Sequence, residues 1–278
     1  MKMNQSIIII LSFLIFSLLA CQDKNVIEKL YFDNTVKHEY QFIMIDSVDS
    51  NYYIALSDFV NLDSIINQEI DPTAIAIKLT DYTHNQWKHN GNNTPTKFEG
   101  LTILEEAKRG KQFRCVEYSI LLTELLNASN IPARQIGLKT KNVETQKTGA
   151  GHVAVEYFDE KLQKWIYADA QFNVIAFKDG TPLSSVELQE AIKNDAKITV
   201  SNQSSKHVNK FKNWIGKYLY YFDTAFDQRV KNEDRFSYNG KTKLMLVPKG
   251  AKEPQKFQIN SEIKNVIYTN SLAEFYPK

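Results

Sequence analysis

The most regular apolar pattern in the chain begins directly after Cys115. Apolar or aromatic residues recur there with offsets i, i+3, i+4, i+7 and i+8, at Tyr118, Leu121, Leu122, Leu125 and Leu126. This spacing places all of them on one face of a helix that packs against a core. The pattern predicts a helix from about Cys115 to Ala128, ended by Asn130 and followed by the extended step Ile131-Pro132.

Further along, the polar and apolar residues alternate one by one. In the predicted strand 152–158, Val153, Val155 and Tyr157 point to one face, whereas His152, Ala154, Glu156 and Phe158 point to the other. Residues 159–164 predict a turn and residues 165–170 a second strand, so the two strands form an antiparallel hairpin. Residues 133–138 predict another strand just before them.

The rest of the chain predicts a mixture of helices and strands. Helices are expected within 65–94, over 101–107 and over 184–194, and strands over 243–247, 257–259 and 266–268. The sequence contains no internal repeat and no long Pro/Gly linker. We therefore expect residues 31–278 to form one α+β domain.

The first 21 residues have the pattern of an export signal. Lys2 precedes the apolar run Ile7–Leu19, which is shorter than the about 20 apolar residues that a membrane span needs. The run ends in Leu18-Leu19-Ala20-Cys21, which resembles the lipobox of bacterial lipoproteins, where the cysteine carries the lipid. We predict a signal peptide over 1–20 and a lipidated tether over 21–30, with an uncleaved membrane anchor as the alternative. Both place the remaining chain outside the cytoplasm, in the cell envelope.

The composition adds little to this picture except at the cysteines. Hydrophobic residues make up 43% of the chain and the formal net charge is only +2, so no nucleic-acid partner is expected. The chain has two cysteines, and lipidation of Cys21 leaves Cys115 without a partner. An unpaired cysteine in an exported protein is either a small buried hydrophobe or a reactive thiol. His84 and His89 are five residues apart, a spacing that suits neither one helix face nor a zinc site.

Cys115, His152 and Asp169 together form a candidate thiol site. Cys115 opens the predicted helix, where unpaired N–H groups favour the thiolate that acts as nucleophile. If four residues (159–162) stay unpaired in the hairpin turn, His152 faces Asp169 directly; if six do, the two are diagonal neighbours. Both registers place the side chains on the same face, whereas an odd-length turn would separate them.

Such an arrangement predicts acyl transfer through a thioester. Cys115 attacks an acyl carbonyl, His152 protonates the leaving amine, and Asp169 orients the imidazole. The Cys115 backbone N–H is one candidate donor to the oxyanion. The side chains of Gln112, Trp87 and Tyr118 are further candidates.

These motifs resemble the core of the transglutaminase-like superfamily over about residues 75–175. The resemblance rests on Gly110-Lys-Gln-Phe-Arg-Cys115-Val-Glu-Tyr-Ser119, Asn130-Ile-Pro-Ala-Arg134, Gly151-His152-Val-Ala-Val-Glu-Tyr157 and Lys164-Trp-Ile-Tyr-Ala-Asp169, in this order. It implies a papain-like α+β core in which a cysteine-bearing helix packs on an antiparallel sheet. It also implies a triad of Cys115, His152 and Asp169 with no metal or cofactor. Asn130 stands where the family usually has glycine.

From these observations we expect a monomeric, extracytoplasmic enzyme that hydrolyses an amide bond in a peptide, protein or cell-wall peptide. The alternatives are an inactive lipid-anchored module that binds a peptide or glycan, a cross-linking transglutaminase, and a structural envelope lipoprotein. Residues 30–74 and 178–278 match no motif and are expected to shape the substrate cleft.

Overall fold

The computed structural model describes residues 27–45, 49–202, 205–230 and 234–277. The predicted signal peptide and the lipid attachment residue Cys21 lie outside these ranges. Within the described ranges, no helix is long and apolar enough to cross a membrane.

The helices fall into two groups along the chain. The first group is α1 (Ser50–Val60), α2 (Leu62–Ile66), α3 (Pro72–His84), α4 (Gly100–Lys108) and α5 (Cys115–Ala128). The second is α6 (Ser185–Lys193), α7 (Ser205–Ile215), which continues into a 3₁₀ turn (Gly216–Tyr218), and α8 (Leu272–Phe275). The helix predicted from Cys115 to Ala128 is confirmed at both ends. Asn130 follows it in the left-handed conformation (φ 58°), at a place where glycine commonly ends a helix.

A mostly antiparallel sheet separates the two groups. Its strands are β1 (Ala133–Lys139), β2 (Gly151–Asp159), β3 (Lys164–Asp169), β4 (Val174–Lys178), β5 (Thr181–Pro182), β6 (Ile198–Val200), β7 (Tyr221–Ala225), β8 (Lys243–Leu246) and β11 (Val266–Thr269). The order is β11-β8-β7-β1-β2-β3-β4-β5, with β6 also paired to β4 and β11 parallel to β8.

A separate two-stranded ribbon consists of β9 (Lys256–Phe257) and β10 (Ser261–Glu262). The strand predicted over 257–259 is wrong beyond Phe257. Gln258 (φ 52°) and Ile259 (φ 56°) adopt the left-handed conformation, which ends the strand.

Alternating side chains of β2 and β3 contribute to two hydrophobic cores, one on each face of the sheet. Val155 and Ile166 belong to the core that α1–α5 cover, whereas Ala154 and Tyr167 belong to the core that α6, α7 and the C-terminal residues cover. Ile27 and Leu30 pack against this second core. The predicted tether over 21–30 is therefore too long, because its last residues already belong to the fold.

A buried ion pair links the sheet to the C-terminal end of the chain. Arg134 on β1 lies directly opposite Glu156 on β2, their side chains meet at 2.9 Å, and neither is exposed. Arg134 also donates to the carbonyl oxygen of Phe275 at 2.9 Å. Glu156 accepts hydrogen bonds from the Ser185 N–H (3.0 Å) and the Tyr276 hydroxyl (2.9 Å). The pair therefore holds β1, β2, α6 and the chain end together.

We expect Arg134→Ala to lower the free energy of unfolding by about 3–5 kcal/mol, because it leaves the Glu156 carboxylate buried without a counter-charge. Urea denaturation monitored by circular dichroism measures the loss. The matched control is Arg134→Met combined with Glu156→Gln, which removes both charges and keeps an acceptor oxygen. The control should recover much of the lost stability. Equal losses in the two proteins would show that charge burial is not the cause.

Candidate functional site

Cys115 is the first residue of α5, and its thiol is free and half-buried. The start of the helix is fixed by Glu117, whose carboxylate accepts from the Arg114 backbone N–H at 3.0 Å and pairs with the Arg114 guanidinium. In this contact the third residue of the helix satisfies the backbone N–H of the residue that precedes the helix, as in one half of a capping box. The predicted position of the sulfur at a helix N-terminus is thus confirmed.

His152 and Asp169 meet as the sequence pattern predicts. His152 Nε2 lies 2.8 Å from Asp169 Oδ2, and both side chains are buried. Phe158 pairs with Trp165, so of the two registers left open the diagonal one is observed. The turn spans residues 160–163, and Gln163 adopts a positive φ of 53°.

Asp169 is itself held by two further donors. The Tyr167 hydroxyl donates to Oδ2 at 2.9 Å, and the Phe172 backbone N–H donates to Oδ1 at 3.2 Å. Both carboxylate oxygens therefore have partners, which fixes the carboxylate plane against the imidazole.

Cys115 lies close enough to the His152 imidazole to influence its pKa. Nε2 of the ring faces Asp169, so Nδ1 is the ring nitrogen left for an approaching sulfur. Ser119 ties the two elements together. Its Oγ lies 3.0 Å from the Cys115 carbonyl oxygen and 2.9 Å from the Val153 carbonyl oxygen.

The charge balance of the site favours the imidazolium. Burial lowers the pKa of His152, but the negative charge of Asp169 and the hydrogen bond to it, with a smaller contribution from the nearby Cys115, outweigh this effect and raise the pKa to about 9. His152 is therefore protonated at neutral pH, next to the thiol.

Aromatic residues of the C-terminal part cover the imidazole. The Trp214 ring stands edge-on to His152 at 4.7 Å, and the Tyr218 ring lies 6.0 Å away. Phe172 stacks on Trp214 at 4.3 Å. His152 is only 3% exposed, so the site opens to solvent on the Cys115 side. Sequence analysis expected the C-terminal part to shape a cleft but did not single out these residues.

The three candidate oxyanion donors differ in the structure. The Tyr118 hydroxyl donates to the Trp87 carbonyl oxygen at 2.8 Å, so it is already used and the expectation for Tyr118 is corrected. Trp87 Nε1 is buried and finds no acceptor among the described residues. Its indole packs against the tilted Tyr118 ring at 4.6 Å and meets the Phe113 ring edge-on at 5.5 Å, beside the first turn of α5. Gln112 is half-buried, and its backbone carbonyl oxygen accepts a hydrogen bond from the side-chain amide of Asn93 at 2.8 Å.

His84 and His89 have different surroundings. His84 Nδ1 lies 2.9 Å from the Ala170 carbonyl oxygen, just beyond Asp169. Burial lowers the pKa of His89, as does the positive charge of His152, so His89 stays neutral near the reactive pair. No group of three or more metal-ligating side chains forms within the described ranges.

Comparisons with known proteins agree with this geometry. A model of the Transglutaminase-like superfamily matches residues 62–170, which include Cys115, His152 and Asp169. None of the curated proteins compared with the chain matches it. The match supports, in general terms, a thiol-dependent enzyme.

The chain is similar, over part of its length, to three solved structures. One, provisionally named a cysteine protease, comes from Cytophaga hutchinsonii (15% identity, TM-score 0.35, 48% of this chain and 46% of that one). Another is the periplasmic domain of TgpA from Pseudomonas aeruginosa bound to ethylmercury (17% identity, TM-score 0.33, 50% of this chain and 47% of that one). The third is red sea bream transglutaminase (13% identity, TM-score 0.35, 62% of this chain and 32% of that one). This chain spans less than half the length of each. Over residues 62–170 it matches the model of the Transglutaminase-like superfamily, in agreement with the resemblance of its motifs.

Proposed function

We propose that this protein is an extracytoplasmic thiol acyl-transfer enzyme that hydrolyses an amide bond in a peptide, protein or cell-wall peptide. Cys115 is the nucleophile, His152 the acid and base, and Asp169 the residue that orients the imidazole. The observation that carries the proposal is the buried contact of 2.8 Å between His152 and Asp169, close to Cys115 at the first position of α5. A lipid on Cys21 would hold the enzyme at the membrane.

The chemical steps follow from the charge balance. A raised His152 pKa of about 9 keeps the imidazolium beside Cys115, so the sulfur attacks the carbonyl carbon as a thiolate. His152 then gives its Nδ1 proton to the leaving amine, and a thioester remains on Cys115. Neutral His152 next removes a proton from water, and the resulting hydroxide displaces the sulfur. The products are the amine and a carboxylic acid.

Two donors support the oxyanion in this scheme. The Cys115 backbone N–H lies at the first position of α5, where helix geometry provides no acceptor. Trp87 Nε1–H is buried beside the same turn without a partner among the described residues. A buried donor without an acceptor costs about 1–3 kcal/mol, which a developing negative charge would recover. Gln112, three residues before Cys115, remains a further candidate.

Hydrolysis is proposed ahead of cross-linking because outside the cytoplasm water greatly exceeds any amine acceptor. A binding module without turnover is the second candidate. The observation that favours it is the burial of His152 under Trp214, which restricts access to the imidazole.

Iodoacetamide should alkylate Cys115 of the wild-type protein near neutral pH, because the neighbouring imidazolium stabilises the thiolate. His152→Ala should react at least about tenfold more slowly. Mass spectrometry of the tryptic peptide measures both rates. Equally slow labelling of the two proteins would favour the binding module, and labelling only after denaturation would favour a structural lipoprotein.

Asp169→Asn should lower the pKa of His152 from about 9 to its ordinary value of 6.5 or below, because burial then acts unopposed. A raised folded-state pKa adds stability that is complete below pH 6.5 and is lost as the pH rises through about 9. Stability of the parent should therefore fall over this range, and the variant should lose that dependence.

NMR of the histidine ring protons and thermal unfolding at several pH values test this. Both are repeated in a Cys115→Ala background, where no thiol titrates and the pKa of His152 starts lower because the contribution of Cys115 is lost. An unchanged histidine pKa in the variant would contradict the role assigned to Asp169.

Trp87→Phe should lower turnover by about 10²–10³ with little change in KM, since one oxyanion donor is lost and the aromatic packing is kept. Tyr118→Phe is the matched control and should retain activity within a few-fold, because its hydroxyl serves only the Trp87 carbonyl. The substrate is first identified by incubating the protein with a library of peptides and cell-wall fragments. Mass spectrometry then finds the products that the wild type forms and Cys115→Ala does not. Equal activity of Trp87→Phe and the wild type would exclude Trp87 as a donor.

A further inference from the structure

Helix α5 runs alongside β2 in the same direction. Toward the start of both elements, the Ser119 hydroxyl donates to the Val153 carbonyl oxygen at 2.9 Å. Further along, the Asn127 side chain accepts from the backbone N–H of Ala133, which pairs with Tyr157 of β2. The step from Ser119 to Asn127 covers about 12 Å of helix and the step from Val153 to Tyr157 about 13 Å of strand. The two elements therefore stay aligned along their length.

The same alignment places Cys115 beside Gly151. Cys115 lies about 6 Å before Ser119 along the helix axis, and Gly151 lies about 7 Å before Val153 along the strand. Gly151 and Val153 point to the same face of the sheet as Val155, which belongs to the core that α5 covers. This face of Gly151 therefore borders the first turn of α5.

The ring of Phe257 occupies the space over this face of Gly151. A Cβ atom at position 151 would lie 2.8 Å from Cε2 and 3.0 Å from Cζ of the ring. Phe257 packs against a buried cluster that includes Val143 and Ala150, yet the residue is still partly accessible to solvent. The missing side chain at position 151 therefore lets an aromatic ring lie beside the tip of α5.

The ribbon of β9 and β10 fixes the ring at this place through the residue that follows it. The Gln258 side chain accepts from the Ala150 backbone N–H at 3.0 Å. The Gln258 backbone N–H donates to the Val143 carbonyl oxygen at 2.8 Å. Phe257 is therefore held against the loop that leads into β2.

The two faces of β2 separate the two halves of a substrate in the proposed reaction. His152 points to the opposite face from Gly151, the face of Ala154, and gives its proton to the leaving amine. The amine half therefore lies toward the imidazole. The acyl half, which stays on the sulfur of Cys115, lies toward Gly151 and Phe257.

We infer that Phe257 is a specificity-determining residue whose ring receives an apolar side chain of the acyl residue, the residue that carries the attacked carbonyl. The inference deepens the proposed function and rests on it for the identity of the nucleophile. Contact between the ring and an apolar side chain removes apolar surface of both from water. A polar side chain of the same size gains no such energy, so the favoured substrates are peptides with an apolar acyl residue.

The test measures peptide binding to Cys115→Ala, where no turnover interferes. NMR titration follows the backbone amides of Ala150 and Gly151. The probes are the tripeptides acetyl-Ala-Leu-Ala-amide and acetyl-Ala-Asn-Ala-amide, whose central side chains have similar size and opposite polarity. We expect the leucine tripeptide to bind about tenfold more tightly, the effect of burying part of an apolar side chain.

Phe257→Ala should abolish this preference, and Phe257→Leu, which keeps an apolar side chain, should retain most of it. Phe257→Gln keeps bulk against Gly151 but is polar, so it should abolish the preference too, and it replaces Phe257→Ala if that variant does not fold. The matched control is Leu162→Ala. It removes a 43% exposed apolar side chain from the turn at the far end of β2 and should leave the preference unchanged.

Equal affinity for the two tripeptides, a preference that survives Phe257→Gln, or a preference lost in folded Phe257→Leu would overturn the inference. The iodoacetamide experiment separates this failure from failure of the proposed function. A reactive Cys115 without the apolar preference removes only the role of Phe257. An unreactive Cys115 with a preference that depends on Phe257 keeps the apolar contact and removes the acyl-transfer proposal.

Discussion

The buried ion pair between Arg134 and Glu156 is the contact on which the rest of the structure depends. The two residues face each other across β1 and β2, so their charges fix the register of this strand pair. A slip of one residue would turn the whole of β2 over. The same register places Leu138 opposite His152, and so sets where the imidazole stands relative to the thiol.

The site is assembled from three elements that no single stretch of sequence contains. The tip of α5 supplies the sulfur, β2 the imidazole and β3 the carboxylate. Ser119 connects the first of these to the second through two carbonyl oxygens. Rigid elements rather than loops therefore hold the reactive atoms, which suits chemistry that depends on orientation.

Local patterns made part of this architecture predictable. The limits of α5 followed from its apolar stripe and from Asn130, and the shared face of His152 and Asp169 followed from strand alternation. The choice between two hairpin registers did not follow, because it depends on the pairing of Asp159 with Lys164 and on the left-handed Gln163. Contacts between distant residues were also missed. The Tyr118 hydroxyl finds its acceptor 31 positions earlier, and Trp214 reaches His152 from a segment without a motif.

The contact between Arg134 and Phe275 has a consequence for how the protein matures. The guanidinium finds this carbonyl partner 141 residues later in the chain. During synthesis, β1 is made long before the segment that completes its surroundings, and so are Cys115 and His152. The ion pair can be enclosed only after residues 275 and 276 have been made. Folding therefore completes the buried surroundings of β1 and β2 at a late stage, well after the residues of the thiol site have been synthesised.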